Sequence, residues 1–145
     1  MSPFIAPHSI TALIVYALWT IALVLVVALA RVQLVVRGKA KLESFTPGAP
    51  HGGDLYWRLN RAHMNATENL AIFATVVLCG WVVGLETVTF NELAVVVVAA
   101  RVVQTLIHIA SGAAWAINIR FLAFGVQLGC EFWMAVLILR AGGVF

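Results

Sequence analysis

Four stretches of this chain are apolar for about twenty residues or more, and little sequence is left between them. A helix needs about 20 residues to cross a ~30 Å hydrocarbon core. Inside that core every backbone N–H and C=O must find its partner within the protein, which a helix achieves alone. The stretches therefore read as membrane-spanning helices over residues 9–36, 55–83, 91–110 and 119–139. A transmembrane β-barrel would show short alternating segments instead. Composition agrees, with 63% of the 145 residues hydrophobic and only 10% charged, where a soluble domain carries about 25% charged residues. The expected fold is one all-α domain over residues 1–145, an integral membrane bundle of four helices.

Local signals refine the ends. Asp54 is placed to N-cap the second span, and Thr89-Phe90-Asn91-Glu92 has the spacing of a capping box before the third. Residues 1–9 hold no Lys or Arg, and the run that follows outlasts the apolar part of a secretory signal. The first stretch is therefore read as a helix that stays. Cys79 and Cys130 are expected at different depths, too far apart for a bridge that needs Cα atoms within about 7 Å. They are taken as small buried apolar residues.

The net charge of +3 matters less than its placement. The first loop, residues 37–53, holds Arg37, Lys39 and Lys41 together with Pro47 and Pro50. Arg31 precedes it, and Arg58 and Arg61 follow it. The second loop, residues 84–90, carries only Glu86. The positive-inside rule then puts loops one and three in the cytoplasm and both termini outside, with Arg140 as the one contrary charge. The basic residues are too scattered for a nucleic-acid stripe, and no inverted repeat of the transporter kind is visible.

Charges inside a membrane span are expensive and usually functional. The second span holds Arg58, Arg61, Asn65, Glu68 and Asn69. At 100° per residue these five occupy about a third of the helix circumference, with Thr67 opposite and His63 well away. Such a stripe is expected to look into the bundle. Arg58 and Arg61 alone could snorkel to the interface, but Asn65 and Glu68 lie two to three turns deep. The third span adds Arg101, Gln104 and His108, and the fourth Arg120, Gln127 and Glu131. Glu68, Arg101 and Glu131 share a depth near mid-membrane and are expected to neutralise one another, Arg101 and Glu131 serving structure rather than chemistry. His108 has no second histidine or cysteine at ligand spacing, so no metal site is expected. Arg31, Arg37, Arg58, Arg61, Arg120 and His108 all fall at the cytoplasmic end. A pocket of this kind suits a small anion with several carboxylates, which the arginine fork binds well, with Asn65 and Glu68 receiving an ammonium or amide deeper in.

The run Arg58-Leu59-Asn60-Arg61-Ala62-His63-Met64-Asn65-Ala66-Thr67-Glu68 resembles the second-helix signature of the MAPEG family, membrane-associated proteins in eicosanoid and glutathione metabolism. The resemblance extends over the whole chain: four spans, a long basic first loop, an arginine in span three and another opening span four. It is closest in kind to the bacterial microsomal glutathione transferases, which implies a multi-pass protein of a bacterial inner membrane. The resemblance implies a homotrimer that holds glutathione between neighbouring subunits. Arg58, Arg61, Asn65 and Glu68 would then grip glutathione, with His108 and an arginine of span one, either Arg31 or Arg37. Arg120 would match the arginine that activates the thiol.

The chain also departs from the family's eicosanoid enzymes. They carry an arginine where Met64 stands, tyrosines at the positions aligned with His108 and Phe124, and a histidine at Gln104. Residues 111–118 look a few residues longer. Two readings follow. In the first the chain is an enzyme, a glutathione transferase or peroxidase that takes glutathione from the cytoplasm and a lipophilic electrophile or hydroperoxide from the bilayer. In the second it is a non-catalytic membrane protein that binds a lipid or a partner. A small proton-coupled transporter with a midplane carboxylate stands behind both.

Overall fold

The computed structural model of the protein describes residues 7–45 and 53–143. Pro47 and Pro50 of the first loop lie outside the described residues. The chain forms α1 (His8–Val36), a short 3-10 turn (Leu42–Ser44), α2 (Asp54–Val82), α3 (Val88–Ala110) and α4 (Ala114–Ala141). All four long helices have the length and apolarity to cross a membrane. At 1.5 Å per residue, the 29 residues of α1 and of α2 span about 43 Å. That length exceeds the hydrocarbon core and carries their ends into the headgroup region.

The helix ends differ in detail from those expected. Gly53, not Asp54, is the N-cap of α2. Asp54 is the first helical residue, where its carboxylate still faces the positive end of the helix dipole. Helix α3 begins three residues earlier than expected and is capped by Thr87, whose Oγ1 accepts from the Phe90 N–H at 3.3 Å. Thr89 lies inside the helix, so the Thr89–Glu92 capping box does not form. Helix α4 begins at Ala114 rather than near residue 119. The supposed longer loop is only Ser111-Gly112-Ala113, held by the Ala113 N–H donating to the Ser111 Oγ at 3.1 Å. Ala-Trp-Ala-Ile-Asn simply continues the helix outward past the apolar window that marked the span.

Three helix C-termini carry a left-handed glycine: Gly38 after α1, Gly84 after α2 and Gly143 after α4. Gly38 (φ 64°) lets the Lys39 N–H reach the Leu34 carbonyl, and Gly84 (φ 69°) does the same for Leu85 and Gly80. These are Schellman closures that satisfy otherwise orphaned carbonyls.

Helix α3 packs most extensively on α4 and α1 on α2. Helices α1 and α3 also touch, while α1 and α4 barely meet. The core is built from Tyr16, Ala66, Phe73, Val77, Phe90, Ala94, Val97 and Met134, all fully buried. Lipid is as apolar as a leucine side chain, so membrane helices associate through close packing and polar contacts rather than through hydrophobic exclusion. Gly80 shows the closeness: a Cβ there would collide with the Phe90 ring. Polar ties add to it. The Tyr16 hydroxyl donates to the Ala66 carbonyl at 3.2 Å, and the Ser9 N–H, an orphan donor of the first turn of α1, finds Asn91 Oδ1 on α3 at 3.0 Å. The outer surface is rich in exposed Leu, Val, Ile, Phe and Trp, as a bilayer solvent requires. Cys79 is exposed on that surface rather than buried, and both thiols are free.

Candidate functional site

The polar stripe of α2 does not point squarely into the bundle. Asn69 is buried, Arg58 and Asn65 are half-buried, and Arg61 and Glu68 are exposed. The stripe therefore straddles the edge where α2 meets α3 and α4. Sequence periodicity fixes which residues share a face but not how that face is rotated against its neighbours, so the expectation of an inward stripe is corrected here.

Beside Glu68 lies a cavity of about 190 Å³ lined by Asn65, Glu68, Asn69, Arg101, Gln104 and Phe124. Three helices build it by spacing alone. Asn65, Glu68 and Asn69 stand at i, i+3 and i+4 on α2, Arg101 and Gln104 at i and i+3 on α3, and Phe124 one turn beyond Arg120 on α4. Gln104 also ties α3 to α4, its Nε2 donating to the Arg120 carbonyl at 3.3 Å. Its Oε1 is left buried without a protein hydrogen-bond partner. Asn69 is pinned by its own Nδ2 donating to the Asn65 carbonyl at 2.8 Å.

At the outer end of the stripe the basic residues gather around His108. Arg120, Arg61 and Arg58 all act electrostatically on its ring. Arg58 bridges helices, its Nε donating to the Ile109 carbonyl at 3.1 Å in the last turn of α3. A cation at that position also faces the negative end of the α3 dipole. The Arg61 guanidinium lies 6.0 Å over the Trp57 ring. Within one chain, then, Arg58, Arg61, His108 and Arg120 come together at one end of the stripe, and Asn65 and Glu68 continue it inward.

Arg31 is placed elsewhere. Its Nε donates to the Tyr56 hydroxyl, its guanidinium lies 5.4 Å over the Phe45 ring, and its charge acts on His63, on the far side of α2 from the stripe. The Phe45 and Tyr56 rings in turn pack at a tilt of 59° with their centroids 5.6 Å apart. Phe45, the last described residue before residue 53 in the first loop, is thus held against α1 and α2 through Arg31. Arg37 lies beside Lys39 in a separate groove with Leu34, Leu55 and Leu59. Neither span-one arginine joins the His108 group within this chain.

Glu68, Arg101 and Glu131 also divide differently from the network expected. Arg101 and Glu131 are buried, at 1% and 3% exposure, whereas Glu68 is exposed. Arg101 lies within Coulombic range of both carboxylates. The hydrogen bond that Glu131 makes, however, is to Gln127, whose Nε2 donates to its Oε1 at 3.0 Å. Arg101 itself was expected to serve structure, yet it also lines the cavity. Asn69, Gln104 and Phe124 join it there. The i, i+3 pairing of Arg101 with Gln104 was the available signal. Among the described residues no group of three His, Cys, Asp or Glu side chains could hold a metal ion.

A comparison with curated proteins gives no match for this chain. The model of the MAPEG family matches residues 9–140, which takes in all four helices and every residue of the stripe, the cavity and the His108 group. With a four-helix bundle of membrane-spanning length and a match over nearly its whole extent, the chain belongs to the MAPEG family.

Proposed function

We propose that this protein is a glutathione-dependent membrane enzyme of the bacterial microsomal transferase type, joining the glutathione thiolate to a lipophilic electrophile or reducing a lipophilic hydroperoxide. The observation that carries the reading is the face of α2. Over three turns it presents two guanidiniums, an amide and a carboxylate beside a polar cavity. From Arg61 to Glu68 the helix rises about 10 Å, and an extended tripeptide reaches about 10–11 Å. Glutathione carries carboxylates at both ends and one ammonium. Arg58 and Arg61 suit a carboxylate, and Glu68 with Asn65 suits the ammonium and an amide. His108 lies among the arginines and would contribute at the carboxylate end. Arg120 is free to act on the thiol, because its charge cannot be lost and favours the thiolate.

A second copy of the chain belongs to this reading. Glu68 lies midway along α2 and is exposed, and a carboxylate facing lipid at that depth costs several kcal/mol. The cavity is also small beside the ~300–1,000 Å³ of ordinary ligand sites. A homotrimer, the family's assembly, would cover the stripe with a neighbour and complete the pocket. A neighbour is then also the natural source of a span-one arginine, Arg31 or Arg37. The basic loop one against the acidic loop two supports a cytoplasmic site end, so glutathione enters from water and the second substrate from the bilayer. Joining two reactants of opposite solubility makes proximity a large part of the rate gain.

One feature favours the non-catalytic reading, in which the pocket binds a lipid or partner. Phe124 offers no hydroxyl to the cavity, and His108 stands where the eicosanoid enzymes have a tyrosine. Purified protein in detergent, assayed for conjugation of glutathione to a small lipophilic electrophile and for reduction of a lipid hydroperoxide, separates the two. Turnover above the uncatalysed rate that falls in Arg61→Ala supports the enzyme. Saturable glutathione binding with no turnover in either assay supports the non-catalytic protein.

A further inference from the structure

Behind the cavity, α3 and α4 bury a second polar group that glutathione recognition does not use. Arg101, Gln127 and Glu131 are at most 3% exposed, and Tyr16 and Met134 beside them are fully buried. Gln127 and Glu131 stand one turn apart on α4 and share a hydrogen bond at 3.0 Å. That bond uses one oxygen of the carboxylate and the nitrogen of the amide. The other atoms, Glu131 Oε2 and Gln127 Oε1, are buried acceptors with no protein partner. Arg101 supplies the opposite imbalance. Its guanidinium lies 5.8 Å over the Tyr16 ring, and its Nε and Nη2 are buried without a protein hydrogen-bond partner. The Tyr16 hydroxyl donates to the Ala66 carbonyl, and its oxygen, near both Arg101 and Gln127, remains an acceptor at the edge of this group. One buried group thus holds two orphaned acceptors and two orphaned donors, with Arg101 and Glu131 within Coulombic range of each other but sharing no hydrogen bond.

Buried polar groups in native proteins find partners. Where a donor and an acceptor do not reach each other, a buried water is the usual bridge, and such a water makes about three hydrogen bonds. In a membrane core no bulk solvent can serve instead. We propose that Arg101, Gln127 and Glu131 enclose an internal hydration site, in which one or more ordered waters bridge Glu131 Oε2 and Gln127 Oε1 to the Arg101 guanidinium. The site neutralises two opposite buried charges without contact between them. It sits directly behind Arg101, the wall it shares with the cavity.

The test is made on the whole protein in detergent or nanodiscs without glutathione, labelled with ¹⁵N-arginine. A long-lived water should cross-relax with the Arg101 Nε–H. That signal should persist in Glu131→Gln, which keeps an acceptor oxygen, and disappear in Glu131→Met, which removes both. A signal unchanged in Glu131→Met would assign the water to the cavity and overturn the proposal. Should that variant fail to fold, the wild-type structure determined at a resolution that shows waters decides. Density within hydrogen-bond distance of both Glu131 Oε2 and Arg101 supports the site. A guanidinium in direct contact with the carboxylate, or a dry gap between them, refutes it. Neither result depends on whether the protein binds or turns over glutathione.

Discussion

Arg120 and Arg61 have different tasks in the proposed chemistry, and kinetics should separate them. A free thiol has a pKa of about 8.5, so little of it is thiolate at neutral pH. Lowering that value by two units requires about 2.7 kcal/mol of preference for the thiolate. A single guanidinium in a partly desolvated pocket is of the right order, and Arg120 is assigned that role. In the proposed chemistry Arg58 and Arg61 hold the glutathione carboxylates, which stay charged throughout the reaction, so they bind ground state and transition state alike. Arg120→Ala should therefore lower kcat about tenfold to a hundredfold with little change in glutathione affinity, while Arg61→Ala should mainly raise KM. Equal effects of both variants on kcat would contradict the division. A different residue tests structure rather than chemistry. Arg101→Leu leaves Glu131 buried beside Gln127 with its countercharge gone, and breaking a buried pair costs about 3–5 kcal/mol. Thermal unfolding in detergent should show that loss, and unchanged stability would count against the coupling of Arg101 to Glu131. At this scale the sequence was informative about which side chains matter and poor about where they point. The spacing of Arg58, Arg61, Asn65 and Glu68 put them on one face without any structure. It could not say that Arg61 and Glu68 would be exposed. Nor could it say that Tyr56 and Phe45 would hold Arg31 on the other side of α2. Both depend on tertiary contacts that no local pattern encodes.

The helices themselves were legible because hydrocarbon thickness sets their length, and they needed only an apolar window to be seen. Their ends were less so. Near an interface the apolar signal fades before the helix does, which is why α4 runs on to Ala114, and the capping-box spacing picked out Thr89 where the cap is Thr87, two residues earlier. The Thr87→Ala variant should lose about 1 kcal/mol as judged by thermal unfolding, while Thr89→Ala should be close to neutral. The opposite ranking would place the start of α3 where the sequence pattern put it. Packing between helices gives a sharper expectation. The fully buried Phe90 ring lies against the backbone of Gly80, leaving no room for a methyl group. Gly80→Ala should cost about 1–3 kcal/mol, as overpacking of a tight interior does, whereas Gly125→Ala, with open space around it, should be tolerated. Equal tolerance at both positions would mean that α2 and α3 are not held as closely as the structure has them.

Taken whole, the molecule is a bundle whose most polar edge lies on its surface at membrane depth, and the proposed trimer would set a neighbour against that edge. Crosslinking in the membrane should therefore trap trimers, and a chain that stays monomeric under those conditions would leave Glu68 facing lipid and argue against the assembly. Orientation is tested separately, in a background lacking Cys79 and Cys130. Thr46→Cys, in loop one, should label only once the cytoplasmic side is opened, and Glu86→Cys should label from outside. Reversed labelling would put the site on the other side of the membrane. All of this serves one claim, that the α2 stripe holds glutathione and the adjoining arginine keeps its sulfur ionised. The most direct measurement is the ultraviolet absorbance of glutathione thiolate on titrating the purified wild-type protein at neutral pH, with the heat of binding followed in parallel. The account predicts a saturable thiolate signal that Arg120→Ala abolishes while binding heat remains. Absence of both heat and thiolate in the wild type, or a full signal in Arg120→Ala at saturation, would contradict it.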